Sequence, residues 1–518
     1  MMHTNFLIAV SLIALITACK PLEAASISNC ESNLLVAYSD KNTLSTTADS
    51  QVVRSLLPNF FGFNLEWVDF QQDMWDAQNF QVKPEVVEWL KPFKGAVYRY
   101  PGGTGSNHLD WRDTVGPQAL RPKQQRVDWL GPIAPQFGFD EYLDFVKQAN
   151  GSAWVVLNIN GDYKKEGDHA VLSKDAADWV SYANRAAANG KPAVTYWELG
   201  NELDRYKWTA EKYTKIANQT IKAILTREPK TTFVGMLQDY QSHKEMTVSE
   251  YDRTIMTGLQ APVNNYAHHL YYEQERWGSI FERMSFVCKS VNDANAVKIQ
   301  SPSFWITEHT RSLSGQENFQ QWKNNWPKTS NLEAAIVVAE SYIASTQFPE
   351  IKGLFLHSLG TSHGPWPLFN ATKANDLHPS VVYWAMRVLH DSMLPIVLLG
   401  KVESRNDEAS IGDHDIRAAI LTDAKSQQYV VWAVNRHKKA CKLSLKIPAL
   451  SGKNSLARFS FITDANKEAN NYSRANNVLP QNLEKTLAFN AAGEADVELQ
   501  PYSVNAIQIT PQLIPHKY

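Results

Sequence analysis

Between residues 60 and 359 eight short apolar runs recur, with helical patterns between them, and this alternation limits the folds open to the chain. The runs cover 60–67, 96–102, 153–160, 194–202, 231–237, 264–272, 304–310 and 351–359. Several are continuously apolar rather than alternating, as strands buried on both faces are. Helical patterns lie at 140–149, 175–188, 210–227, 332–346 and 380–392, with stops at Gly190, Pro229 and near Pro349. Eight strand–helix alternations predict a closed parallel (β/α)8 TIM barrel. An open doubly wound sheet would usually place a Gly-rich phosphate loop after its first strand. Here the first run continues into Val68-Asp69-Phe70-Gln71.

After about residue 394 the pattern changes. Short strands at 416–422, 428–435, 443–447, 457–462, 487–490, 495–499 and 504–509 alternate with polar turns and show no helical period. They predict a C-terminal antiparallel β-sandwich. The domain plan is a barrel over 51–393, a sandwich over 394–518, and an N-terminal segment at 25–50 that joins the sandwich through a strand at 34–38. A length of 518 residues suits one large domain plus a smaller one. The net charge of −2 gives no electrostatic case for nucleic acid or for an anionic membrane surface.

Residues 1–24 are set apart as a signal peptide. The apolar run at 6–16 is too short to span a bilayer. Ile16-Thr17-Ala18-Cys19 resembles a bacterial lipobox. It implies a lipidated Cys19 and a periplasmic or outer-membrane-anchored location in a Gram-negative bacterium, with membrane contact only through that anchor. Met1-Met2-His3-Thr4-Asn5 lacks Lys and Arg, so a plain cleaved signal is the alternative. Cys30, Cys288 and Cys441 are far apart and match no metal spacing. Export permits disulfides, but isolated buried thiols are the expectation.

In a barrel of this kind the active site forms at the C-terminal ends of the strands. The fourth run ends in Trp197-Glu198-Leu199-Gly200-Asn201-Glu202, and the seventh in Trp305-Ile306-Thr307-Glu308-His309. Glu202 and Glu308 would therefore face each other across the barrel mouth. Retaining glycosidases need two carboxyl groups about 5–5.5 Å apart, one to protonate the leaving oxygen and one to attack the anomeric carbon. An amide followed by an acid at the end of an apolar strand has little packing purpose. Glu198, mid-strand, reads instead as a partner for a barrel Arg or Lys. The pair must be split, with Glu202 protonated and Glu308 ionised at working pH.

A family resemblance rests on these residues. Trp197 to Glu202 is similar to the acid/base signature of the large retaining clan of (β/α)8 glycosidases. Three segments resemble glycoside hydrolase family 51, the α-L-arabinofuranosidases: Gly62-Phe63-Asn64-Leu65-Glu66, Arg99-Tyr100-Pro101-Gly102-Gly103, and Asp110-Trp111-Arg112-Asp113-Thr114-Val115-Gly116-Pro117. His269-Leu270-Tyr271 fits the same family. The resemblance implies Glu202 as acid/base and Glu308 as nucleophile. It further implies Asn201 on the sugar 2-hydroxyl, Glu66 on sugar hydroxyls, Tyr271 on the Glu308 carboxylate, and His269 on sugar or Glu202. Arg99 would lie beneath the nucleophile and favour its ionised form.

The chain departs from the family at Thr104, where Asn is usual, and at Thr307-Glu308-His309, where Asp-Glu-Trp is usual. The heparanase and β-glucuronidase family of the same clan also shows Gly-Gly-Thr. The expected function is thus an exo-acting retaining α-L-arabinofuranosidase on plant or algal polysaccharide fragments. A β-glucuronidase, β-xylosidase or endo-glycanase of the clan is the alternative within the enzyme class. A surface lipoprotein that binds glycan without cleaving it is the alternative outside it.

Asn160, at the end of the third run, either contacts substrate or makes a turn. Trp366, in a Gly-Pro-Trp-Pro loop near His357 and His363, is either a sugar platform or a loop anchor. Asp110 and Asp113 more plainly order their long loop. His268 and His309 adjoin the carboxylate pair, but neighbours on a strand point to opposite faces, so no metal is expected. No cofactor is expected either, since acid/base and nucleophilic steps need only side chains.

Overall fold

The computed structural model describes residues 36–46, 51–125, 131–162, 165–238, 250–260, 262–272, 280–313, 318–371, 376–407, 414–425 and 427–512. The lipobox, Cys19 and Cys30 lie outside them. No helix of the described residues is long and apolar enough to cross a membrane.

Each of the eight runs coincides with one strand to within a few residues: β1 (Phe61–Leu65), β2 (Val97–Tyr100), β3 (Ser152–Leu157), β4 (Val194–Leu199), β5 (Phe233–Met236), β6 (Asn265–Tyr272), β7 (Ser303–Arg311) and β8 (Ile351–Leu359). They pair in parallel and in sequence, and β8 closes on β1. The barrel floor is filled by Val97, Trp154, Val234, Ala267, Trp305 and Phe355, one inward side chain from each of six strands. Phe355 can lie across the barrel because Gly62 has no side chain; a Cβ there would meet the Phe355 ring at 2.1 Å.

The helices depart from expectation mainly at their ends. His169–Ala188 begins six residues before the predicted 175, because Asp168 caps it by accepting from the Ala170 and Val171 amides. Trp67–Asp73, Pro84–Leu90, Glu250–Gly258, Ile280–Ala296 and Phe319–Asn325 are additional helices.

The sandwich pairs a seven-stranded sheet with a five-stranded one. Two pairings in the smaller sheet are parallel, Ala37–Tyr38 with Gly400–Ser404 and Asn42–Thr46 with Cys441–Lys446. Val52–Ser55, predicted to open the barrel, instead pairs with Ile396–Leu398 at the edge of the larger sheet. The chain therefore enters the barrel after Ser55.

Both faces of the larger sheet are covered. Val431, Ile420 and Ile507 pack against Leu44, Leu443 and Leu445 of the smaller sheet. Val430, Trp432 and Leu421 belong to the same continuous core as the barrel helices. This is why Ile416–Thr422 and Tyr429–Asn435 are buried along their whole length. Between sheet and barrel runs Leu332–Ser345, of whose residues only Glu333 is not buried. Its Glu340 carboxylate accepts from His414 Nε2 at 2.7 Å and Arg417 Nε at 3.0 Å, and also pairs with Arg436.

The expectation of isolated thiols fails at Cys288, which is disulfide-bonded. Cys441 is free.

Candidate functional site

Strand alternation carries polar groups inward directly above the apolar floor. Two residues beyond Val97, Ala267 and Phe355 come Arg99, His269 and His357, and two beyond Gly62 comes Asn64. On β4, Tyr196 packs on the floor and Glu198 follows it inward. The buried Arg99 guanidinium ties four strands together. Its Nε and Nη2 reach Glu198 at 2.8 and 2.9 Å. Its Nη1 reaches Asn64 Oδ1 at 2.6 Å and Glu308 Oε1 at 2.9 Å, and Nη2 reaches Asn201 Oδ1 at 2.7 Å. Trp154 Nε1 gives Glu198 a further donor at 2.7 Å. Glu198 is thus the structural partner of an Arg, as its mid-strand position suggested.

Glu308 breaks the alternation. Trp305 faces the floor, so an unbroken β7 would aim Thr307 and His309 inward. Instead His268 pairs with Ile306 and His269 with Glu308, leaving Thr307 as a bulge. Glu308 is thereby turned into the barrel, and His309 out onto Ser341 Oγ at 3.3 Å. His268 likewise faces out, against Ser290 Oγ at 3.1 Å.

Glu202 follows β4 with φ 46° and ψ 41°, a left-handed conformation that costs a non-glycine residue energy. A clamp from the β2 loop holds the preceding residue. Asn107 donates to the Asn201 carbonyl at 2.5 Å and accepts from its amide at 3.0 Å. Glu202 Oε1 then accepts from His269 Nδ1 at 2.6 Å, and Oε2 from Arg205 Nη1 at 2.6 Å. Tyr271 OH donates to Glu308 Oε2 at 2.6 Å. His269 Nδ1 is also 3.5 Å from Glu308 Oε2, so it bridges the two carboxylates. One oxygen of each carboxylate and the His269 nitrogen all lie within 4.8 Å of one another.

The protonation pattern differs from the expectation of a protonated Glu202. Burial pushes the Glu202 carboxyl up, but the His269 hydrogen bond and charge, with Arg205, outweigh it and bring it down to about 2. Burial pushes His269 down, but the Glu308 charge and the Glu202 bond raise it to about 9. The shared proton therefore rests on the imidazole. Glu308 is also held below the ordinary carboxylate value, burial being outweighed chiefly by His269 and His357. Glu66 is the opposite case. Burial, then the Glu308 and Asp69 charges, hold its carboxyl well above the usual range.

The donor set of Glu202, His269 and Glu308 is close enough for a cation. However, Arg99 and Arg205 already occupy one oxygen of each carboxylate, so the charge a cation would answer is largely met by guanidinium groups.

Glu66, Arg99, Asn201, Glu202, His269, Tyr271 and Glu308 thus converge. Glu66 is joined through Asn64 Nδ2 at 3.1 Å. Trp366 stands on the wall, its ring centroid 5.7 Å from Tyr271 and 5.0 Å from His357, with its amide anchored on Thr329 Oγ1 at 2.7 Å. Asn160 does not join them. Its hydrogen bonds among the described residues are main-chain bonds to Asn158 Oδ1 and Gly167, which favours the turn reading. Asn64, Asn107 and Arg205 were not foreseen, nor was the place of His357 on β8 itself, 3.6 Å from Glu308. Two residues per strand turn would have reached Asn64 and His357. Nothing in the sequence marks Asn107.

The comparisons with known proteins agree with this fold. Residues 89–285 match the family described as alpha-L-arabinofuranosidase 1 domain. An intracellular exo-alpha-(1->5)-L-arabinofuranosidase from Streptomyces lividans is 28% identical over 209 residues, which is 37% of this chain and 30% of that protein. Alpha-L-arabinofuranosidase C from Emericella nidulans is 32% identical over 202 residues, 36% of this chain and 40% of that protein. The chain thus spans 30–40% of the length of these relatives. Among solved structures, an alpha-L-arabinofuranosidase from Thermotoga maritima in an arabinose complex superposes with TM-score 0.75 at 15% identity, over 91% of this chain and 100% of that one. A family 51 alpha-L-arabinofuranosidase from Bifidobacterium longum gives TM-score 0.75 at 16% identity, over 91% and 99%. The chain is a (β/α)8-barrel protein with a β-sandwich, similar in its barrel sequence and in its whole fold to the α-L-arabinofuranosidases of glycoside hydrolase family 51.

Proposed function

We propose that the protein is a retaining, exo-acting α-L-arabinofuranosidase on plant or algal polysaccharide fragments. The observation that carries this reading is the approach of the Glu202 and Glu308 carboxylates to within 4.8 Å, oxygen to oxygen. Retention needs carboxyl groups about 5–5.5 Å apart, whereas inversion needs about 6.5–9.5 Å to admit a water.

Glu308 attacks the anomeric carbon as that carbon's bond to the leaving oxygen breaks. The leaving oxygen takes a proton from Glu202, supplied across the 2.6 Å bond from His269. Water then enters and gives a proton to the Glu202 carboxylate. Its oxygen displaces Glu308 from the anomeric carbon, and the free sugar leaves with its configuration retained. Arg99 and Tyr271 hold the Glu308 oxygens ionised and aimed. Asn201, fixed from both sides by Arg99 and Asn107, is set to bind the sugar 2-hydroxyl through its amide Nδ2. Glu66, holding its proton, can donate to a sugar hydroxyl. The ring of Trp366 borders the sugar.

Hydrolysis of 4-nitrophenyl α-L-arabinofuranoside tests the reading. Turnover by the wild type and none by Glu308→Gln is the expected result. Cleavage of uronides alone would refute the sugar assignment and leave the reaction class. Azide should rescue Glu202→Ala to a retained glycosyl azide and Glu308→Ala to an inverted one; the reverse pattern would exchange the two roles.

Export, with either a lipidated Cys19 or a plain cleaved signal, belongs to the same proposal. The disulfide at Cys288 supports an oxidising compartment. Metabolic labelling with palmitate, compared between the wild type and Cys19→Ala, tests the lipid.

A further inference from the structure

Arg205 holds one oxygen of the proposed acid. Glu202 Oε1 is turned inward to His269, on the side of Glu308, and Oε2 is turned outward to Arg205. The inner side is closed by Arg99, Tyr271 and His357 around Glu308. The oxygen left to face a leaving group at the mouth is then Oε2, which Arg205 holds at 2.6 Å. While that pair stands, Arg205 competes with the leaving oxygen for Oε2 and makes Glu202 a weaker acid.

The two partners differ in accessibility. The Glu202 side chain is 6% exposed, and that of Arg205 is 47% exposed. The carboxylate is fixed in the barrel, and the guanidinium is a long, half-solvated arm on the loop beyond β4. An exposed arm can exchange one carboxylate for another at little cost, since surface pairs contribute weakly. Guanidinium also binds carboxylates in a planar, two-pronged geometry. Beside Arg205 the rim presents exposed Tyr206, whose hydroxyl meets His108 Nε2 at 3.0 Å, and exposed Lys207. Among the described residues, the rim beside Arg205 is thus cationic and aromatic, suited to an anionic sugar.

We propose that Arg205 selects arabinofuranosides whose leaving group is an acidic glycan, exchanging Glu202 for the carboxylate of a uronic acid residue and so freeing Glu202 to act as the acid. The inference rests on the proposed arabinofuranosidase reading and names the leaving-group side of its substrate. Binding of the correct aglycone and release of the acid are then one event. A neutral aglycone leaves Arg205 on Glu202 and the acid correspondingly weaker.

The test compares an α-L-arabinofuranoside of galacturonic acid with its methyl ester, which differ in charge away from the scissile bond. The wild type should prefer the acid in kcat/KM by about 2- to 5-fold, the range of an exposed ion pair. In Arg205→Ala that ratio should fall to about one, and Arg205→Lys should retain part of it. Equal cleavage of acid and ester by the wild type, or an undiminished preference in Arg205→Ala, would overturn the proposal. The wild type's turnover of 4-nitrophenyl α-L-arabinofuranoside reports separately on the parent reading. Should that fail, calorimetric titration with galacturonate decides the Arg205 site alone: binding by the wild type and not by Arg205→Ala supports it, and equal heats refute it.

Discussion

Replacing His269 by Gln should narrow the pH range of the reaction from its alkaline side. In the wild type the last proton of the Glu202–His269 pair is held by the pair, and the imidazole value of about 9 marks where it leaves. Below that pH Glu202 can draw on the proton. His269→Gln keeps an amide donor near Glu202 Oε1 and removes the titrating cation. The last proton then belongs to Glu202 alone. A carboxyl has an ordinary value of about 4.3, and burial in a glycosidase mouth brings such an acid to about 6. The basic limb of kcat/KM should therefore move down by about 3 units. The acid limb should move the other way, because the His269 charge leads the effects that hold Glu308 low. Losing an opposite charge this close to a carboxylate corresponds to about 1–3 units. The profile on 4-nitrophenyl α-L-arabinofuranoside from pH 3 to 10 measures both limbs. A basic limb left within half a unit of the wild type's would refute the shared-proton account.

Other expectations concern the scaffold. Glu340→Gln leaves Arg417 and Arg436 buried without their carboxylate and should cost about 3–5 kcal/mol in urea unfolding at pH 7. Because the Glu340 carboxyl is held low in the folded protein, its contribution is present above the unfolded carboxyl's pKa and lost as pH falls toward the folded one. The gap between wild type and variant should accordingly shrink below about pH 4. Gly103→Ala puts a Cβ 2.0 Å from Glu66 Oε1 at a residue with φ 34°, and should raise KM by displacing Glu66 while circular dichroism stays unchanged. Gly62→Ala collides with the Phe355 ring and should cost about 1–3 kcal/mol in thermal or urea unfolding.

The barrel was legible because its strands are buried on both faces and read as continuous apolar runs, and the strand ends named most of the site. What escaped has local causes. The parity of β7 depends on the Thr307 bulge, which no periodicity announces. Alternation alone would have set His309, not Glu308, in the barrel. Asn107 acts only through the main chain of a residue on another strand. Arg205 is one of several basic residues on polar loops, and only its distance to Glu202 sets it apart. His169–Ala188 was shortened because its first turns lack the Ala-rich pattern and its start is marked by Asp168 alone. Ala37–Tyr38 and Val52–Ser55 are too short for alternation to separate them from loop, and their pairing partners lie more than 300 residues away.

The helix Leu332–Ser345 has a consequence for anyone who would use the barrel by itself. It is the seventh helical layer of the barrel, yet its outer side is the inner wall of the sandwich. A chain cut after residue 393 would present Trp432's vacated pocket, a helix that is otherwise nearly wholly buried and its Glu340 carboxylate to water. It would also strand Val52–Ser55 without a neighbour. The sandwich is therefore the missing half of the barrel's own shell, and the smallest unit that can be expressed, grafted or evolved independently includes both.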